Sequence, residues 1–404
     1  MLYRELLQQE LKNQSDGFVN FARTQAADLH EYLTKLNQIA DVSHAALIEK
    51  LDSLESVGAF PADEFDAASN FAFSFNEIWR NHEESRRWAY KILDKRTTFA
   101  ADGSQLFIER EVSLPVAAVQ IGWFENPHDD RLGYEKNARF FVLSPEDLLK
   151  DQEEPVIPET RVGQKRFEAE VEKVSEFLVK KKGWQTRGER MPLAFFDGTL
   201  LISFALPRTS LQESFINTMV ALAKLSRETK VPLVGYVDRS YARDLLGLLD
   251  ALDGKRNDNK RTLDDASILH AAASESSPIL RNWGDRTCFC YSKRRGLNAF
   301  IDAETDQSIV GFTYLQTTSD NPPARLDVPA WIYEENLLNE VLDVVRAECV
   351  IGLGYPYALE TADQTAVISL RDREVFLAAL QGFADENKLN FRISRKAASK
   401  GRRR

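Results

Sequence analysis

Thr98-Phe99-Ala100-Ala101-Asp102-Gly103-Ser104 and Leu193-Ala194-Phe195-Phe196-Asp197-Gly198-Thr199 decide the reading of the fold, because they share one plan. A short run suited to a buried strand leads to an Asp, then a Gly, then a hydroxyl residue. An Asp at a strand end holds its carboxylate on a rigid support, and the Gly lets the backbone turn and a ligand approach it. Two such strands side by side bring two carboxylates to one sheet edge. There they repel and raise a pKa unless a cation lies between them. A single Asp-Gly pair is an ordinary turn; the repetition behind two apolar runs is what points to chemistry.

Working outward, Gln105–Ile108 and Val112–Trp123 read as further strands. Residues 126–136 and 144–163 are loop-rich. Arg166–Lys182 is expected to be a helix with Phe167, Val171, Val174, Phe177 and Leu178 on its apolar face. Met191–Phe196 is a short strand, Leu211–Glu228 a helix and Pro232–Val237 a strand. Arg281–Lys293 and Val310–Gln316 look like strands, and Pro329–Arg346 contains a helix. Strands alternating with helices predict an α/β core. Upstream, Leu6, Leu7, Leu11, Leu29, Leu33 and Leu36 recur at helical spacing; Gly58 and Pro61 interrupt, and Phe71–Ile92 resumes the pattern. The chain therefore divides into an N-terminal helical region (1–95), a core domain (96–391) and a tail (392–404). The tail holds seven cations and no acid.

The 404 residues carry 52 Lys and Arg against 62 Asp and Glu, a net charge of −10, with 43% apolar and 28% charged residues. This is the composition of a globular protein. No apolar run approaches the ~18 residues of a membrane span, and MLYRELLQQELKNQ lacks the layout of a signal peptide, so a cytoplasmic protein is expected. Three cysteines and five histidines form no CxxC or HExxH pattern. Metal chemistry must then rest on carboxylates, which select hard ions such as Mg²⁺ or Mn²⁺. A P-loop is absent, and Gly352-Leu353-Gly354 lacks the strand-to-helix context of a dinucleotide site. A haloacid dehalogenase site is excluded because Ala100 and Phe195 stand where its nucleophilic Asp would be.

Ala101-Asp102-Gly103-Ser104, Phe196-Asp197-Gly198-Thr199-Leu200, Val231-Pro232-Leu233-Val234-Gly235-Tyr236-Val237 and Tyr355-Pro356-Tyr357-Ala358-Leu359 with Ala362-Asp363 occur in this order. In these blocks, over about residues 97–370, the chain resembles the NurA nuclease family. The resemblance implies an RNase H-like mixed-sheet core with flanking helices and hydrolysis of DNA that depends on Mn²⁺, with Mg²⁺ the alternative ion. It also implies a homodimer working with a HerA-type hexameric translocase in DNA end processing and repair. The expected action is 5′–3′ exonuclease, single-strand endonuclease, or both. Carried over by position, Asp102 and Asp197 match the family's metal-binding aspartates and Tyr355 its tyrosine. Asp363 stands where the family often has a histidine. For the helix glutamate, counting back from the helix end favours Glu172, with Glu168 and Glu176, on the same helix face, as alternatives.

The residues support the same chemistry. Two metals ~3.5–4 Å apart can activate a water and neutralise a leaving oxygen. Asp102 would bridge them, Asp197 and Glu172 would each hold one, and Asp363 would complete the set. The net charge opposes DNA binding, so local clusters must supply it: Lys180-Lys181-Lys182, Lys255-Arg256, Lys260-Arg261, Lys293-Arg294-Arg295 and the tail. Trp123, Trp184 and Trp283 are candidates for stacking on bases. The competing reading is a non-catalytic DNA-binding adaptor of a translocase that keeps the nuclease fold. RNA in place of DNA leaves no readable mark in the sequence.

Overall fold

In this computed structural model the described residues are 3–54, 57–107, 112–149, 158–204, 207–254, 263–270 and 279–392. The cationic tail beyond Arg392 and the Lys255-Arg256 and Lys260-Arg261 pairs lie outside them. The chain forms two compact units that do not follow its order: Met1–Arg80 with Tyr236–Asn336, and Asn81–Gly235 with Leu337–Arg404. No helix among the described residues is long and apolar enough to cross a membrane.

The first unit begins with helices Arg4–Asn13, Ser15–Ala40 and His44–Asp52. Leu33, Leu36, Leu47 and Leu51 pack with Leu245, Leu246, Leu248 and Leu249 in one core. Strands Gly58–Pro61, Cys290–Lys293, Val310–Leu315 and Ala324–Pro329 pair antiparallel in that order. Phe71–Ile92, expected to resume the helix, does so only from His82. Ala72–Phe73 is a strand, and the Phe75 N–H is bound by Asp285. Asn81 then accepts from Glu84 N and starts the helix His82–Leu93, with which the second unit opens.

In the second unit the strands Leu193–Asp197, Thr98–Phe107, Ala117–Asn126 and Glu135–Leu143 lie side by side in that order, and the strand Leu233–Val237, which starts in this unit, pairs with Leu193–Asp197 on the other side. Thr98–Phe107 is parallel to Leu193–Asp197 and antiparallel to Ala117–Asn126, which is antiparallel to Glu135–Leu143. A three-stranded antiparallel meander whose first strand is flanked by a later parallel strand is the RNase H-like arrangement. The outer strand, in a stretch whose start reads as loop, has no hydrophobic alternation because most of it is exposed. Glu135, Lys136 and Arg139 on that edge discourage pairing with another sheet.

Register decides what packs on each face. Asp102 stands opposite Gly122, and Gly103 opposite Ile121. Directly opposite residues point to the same face, and their neighbours point to the other. Helix Pro158–Lys181 covers the Gly103 face, with Phe177 stacked on Phe99 at 4.6 Å between ring centroids. Helix Tyr357–Ala366 covers the Gly122 face at backbone contact. A Cβ on Gly122 would lie 2.5 Å from Ala366 N and 2.9 Å from Ala362 O. Those are backbone atoms and cannot swing aside, so Gly122→Ala must lift the helix. Overpacking costs about 1–3 kcal/mol, and at 2–4 °C per kcal/mol for a domain of this size the melting temperature should fall by roughly 3–10 °C. A thermal melt followed by circular dichroism checks this.

Candidate active site

Both aspartates selected from the sequence end up at one level of the sheet. Ala101 is in register with Phe196, so Asp102 and Asp197 follow on adjacent parallel strands. Ahead of them, Phe99, Ala100, Phe195 and Phe196 are buried, which anchors both strand ends. Asp102 is half-buried and Asp197 exposed.

Two further elements converge on this edge. From the Gly122 face, helix Tyr357–Ala366 supplies Asp363, whose carboxyl hydrogen-bonds that of Asp102. The hydroxyls of the two motifs have different uses. Ser104 Oγ donates to Ala366 O at the end of this helix, where Gln120 Nε2 also donates at 3.1 Å. Thr199 Oγ1 accepts from Leu201 N at 3.0 Å and shapes the turn after Asp197. Tyr355, just ahead of the helix, donates from its hydroxyl to Asp197 Oδ1 at 3.3 Å.

From the Gly103 face comes Glu170, a residue the sequence reading did not weigh. Gly103 lets the helix approach: a Cβ there would lie 2.4 Å from Glu170 Oε1 and 2.8 Å from Arg166 Cγ. Arg166 Nη1 donates to Gly103 O at 2.8 Å, and its Nε lies 3.5 Å from Glu170 Oε1. Glu170 is 8% exposed, and its Oε1 is buried without a hydrogen-bond partner. Glu172, favoured from the sequence, is not brought to this edge. It is exposed and pairs with Arg139 at 3.2 Å. Glu168 pairs with Lys165 and Glu176 with Lys173. The reason is rotation: two residues along a helix turn a side chain about 200°. Glu170 lies in the apolar stripe of Phe167, Val171, Val174, Phe177 and Leu178, whereas Glu168, Glu172 and Glu176 lie on the wet face.

The electrostatics mark a shared field. Burial pushes the Asp102 carboxyl up to about 6 against its bond with the Gly103 N–H, and the charges of Asp197 and Asp363 push the same way. Burial pushes Glu170 up to about 8; Arg166 opposes this, while Asp102 and Asp197 add to it. Asp102 thus lies in the field of Asp197 and Asp363, and Glu170 in that of Asp102 and Asp197, with the Arg166 guanidinium beside Glu170. The raised pKa of Asp102 relieves part of the repulsion. A hard divalent cation would relieve more. No group of three or more His, Cys, Asp or Glu side chains among the described residues is already arranged to hold an ion. The donor set fits one nonetheless, being all oxygen, with the buried Glu170 Oε1 ion-paired to Arg166 at 3.5 Å but lacking a hydrogen-bond partner.

Among the aromatic candidates, Trp123 donates to Glu135 Oε1 and lies under Lys173, 3.9 Å from its ring centroid. Trp184 Nε1 donates to Lys230 O. In the other unit, Trp283 packs with Phe75 and Trp79. Lys180 and Lys181 are tied to Glu125.

The sequence profile of the NurA domain matches residues 96–368, more than half of the chain. A comparison with curated proteins returns no match. Among solved structures, NurA with manganese is similar at a TM-score of 0.38 and 9% identity, over 72% of this chain and 89% of that one. NurA bound to dAMP and manganese is similar at 0.31 and 9%, over 72% and 88%. The catalytic domain of human endonuclease V is similar at 0.31 and 14%, over 74% and 95%. With the profile spanning both aspartate strands, the helix between them and the Tyr355 segment, the chain belongs to the NurA family of nucleases.

Proposed function

We propose that this nuclease hydrolyses DNA phosphodiester bonds with Mn²⁺, or Mg²⁺ as the alternative ion, held by Asp102, Glu170, Asp197 and Asp363. The supporting observation is that Asp102, at the end of its strand, feels the charges of Asp197 and Asp363 and acts with Asp197 on Glu170, whose Oε1 is buried without a hydrogen-bond partner. A bound cation supplies charge neutralisation at the scissile phosphate and an activated water. The chain's own residues do the rest. Tyr355 fixes the rotation of Asp197 by its hydroxyl bond. Arg166 holds Gly103 O and stands beside Glu170 as a counter-charge. Ser104 and Gln120 hold the end of the Asp363 helix against the sheet.

A 5′–3′ exonuclease or single-strand endonuclease action, a role in DNA end processing and repair, a HerA-type translocase as partner and a homodimer rest on family membership alone, and a cytoplasmic setting on the reading of the sequence. The deciding experiment incubates the full chain with end-labelled single-stranded DNA, double-stranded DNA and RNA, in Mn²⁺, Mg²⁺ or EDTA. The expected result is cleavage of DNA in Mn²⁺ that EDTA abolishes and re-added Mn²⁺ restores. DNA binding without cleavage under every condition would replace the reading with the adaptor one, and faster cleavage of RNA would replace the substrate.

A further inference from the structure

We infer that Glu348 is a positioning residue for the reaction: it closes the segment that presents Tyr355 and Asp363. This rests on the nuclease reading above. Glu348 lies near the end of helix Leu338–Ile351 and is 1% exposed. Its backbone carbonyl accepts from Gly352 N at 2.8 Å, and its Oε2 accepts from Ala358 N at 2.9 Å. One residue therefore ties both ends of the Gly352–Tyr357 connection. Tyr355 projects from that connection to Asp197. The helix that begins at Tyr357 carries Asp363.

The helix has no cap of its own. Its N-cap residue is Pro356, which makes no side-chain capping bond. A serine or aspartate there would satisfy a first-turn N–H at little cost. The carboxylate that does so comes instead from the preceding helix, where it is desolvated. Burying an ionisable group is expensive unless it is paired. Glu348 has a partial partner in His128, whose Nε2 lies 3.7 Å from Glu348 Oε1. His128 is in turn oriented by its Nδ1 contact with Arg96 O at 2.7 Å. His128 follows the Ala117–Asn126 strand, and Arg96 precedes the Asp102 strand. Glu348 thus joins the Asp363 helix to the backbone around both central strands. A local cap would satisfy the same N–H but join nothing.

The test measures kcat, KM for linear DNA and the Mn²⁺ concentration for half-maximal rate in Glu348→Ala, Glu348→Gln and wild type, with melting temperatures alongside. Gln keeps an oxygen for Ala358 N–H; Ala does not. Glu348→Ala should lower kcat tenfold or more and raise the Mn²⁺ requirement, with KM within twofold. Glu348→Gln should recover most of the rate. Glu340, on the same helix as Glu348, pairs with Arg96 at 2.7 Å, and Glu340→Ala serves as a structural control that loses stability without losing kcat. Wild-type kcat and Mn²⁺ requirement in a folded Glu348→Ala would overturn the inference. So would Glu348→Gln impaired as severely as Ala, which also decides the matter if the Ala variant does not fold. Wild type inactive in every ion would instead remove the nuclease reading itself.

Discussion

Asp102→Asn abolishes metal-dependent cleavage while the protein stays as stable as wild type or becomes more so. The first half follows from position: Asp102 sits between Asp197 on the neighbouring strand and Asp363 on the covering helix. Losing a ligand that helps neutralise transition-state charge forfeits several kcal/mol, which at about 1.4 kcal/mol per decade is roughly 10²–10³-fold in rate. The second half follows from burial. The Asp102 carboxyl is held up at about 6 chiefly by desolvation, so its charge is a burden on the metal-free fold near neutral pH. Asn has the same shape without the charge. Activity assays and melts run together check both halves. An Asp102→Asn protein that cleaves at more than a tenth of the wild-type rate, or that loses activity only because it unfolds, defeats the prediction. Glu172→Gln is the contrast. That side chain is exposed and paired with Arg139, so its loss should change the rate by less than twofold.

How far the site could be read beforehand differs from residue to residue. Asp102 and Asp197 were legible because a strand end followed by Gly is a local signal. Their adjacency needs only the right-handed crossover that joins parallel strands. Asp363 and Tyr355 lie far along the chain: a Tyr-Pro-Tyr loop with an acid eight residues after its first tyrosine marks the segment, but no local pattern links it to Asp102, and only the family resemblance does. Glu170 was missed because counting back from the helix end favours Glu172, and the alternatives, Glu168 and Glu176, share its face by i, i+4 spacing. Shared spacing identifies a face, and a face with three glutamates is the solvated one. The informative anomaly was a single acid inside the apolar stripe, between Phe167 and Val174. Interleaving of the two units was not legible either, since composition shows no break at residues 235 and 337, where they meet along the chain. The strand Ala72–Phe73 is held in place by partners more than two hundred residues away, which no local period could show.

Glu170→Gln separates stability from activity more sharply than any other single change at this site. Glu170 is almost fully buried, and its pKa stands at about 8 in the folded protein against an ordinary 4.5. Below pH 4.5 both folded and unfolded forms keep the proton, and nothing is lost. Between 4.5 and 8 the unfolded chain releases it while the folded protein retains it, so fewer protons are bound when unfolded and stability falls as pH rises. Above 8 both are ionised and the loss levels off. At about 1.4 kcal/mol per unit the full loss is on the order of 5 kcal/mol. Glu170→Gln stays neutral throughout. In EDTA the two proteins should therefore melt together near pH 4.5 and separate progressively up to pH 8, where the variant should melt higher by roughly 10 °C. The same variant should be inactive in Mn²⁺, having lost an anionic donor. Adding Mn²⁺ at pH 8 should raise the wild-type melt, because an ion that binds only the folded form stabilises it, and should leave the variant nearly unmoved. Parallel melting curves for both proteins at pH 8 in EDTA would show that the Glu170 side chain is solvated rather than confined against Gly103. The buried acid would then be no reserve of destabilisation for a cation to relieve.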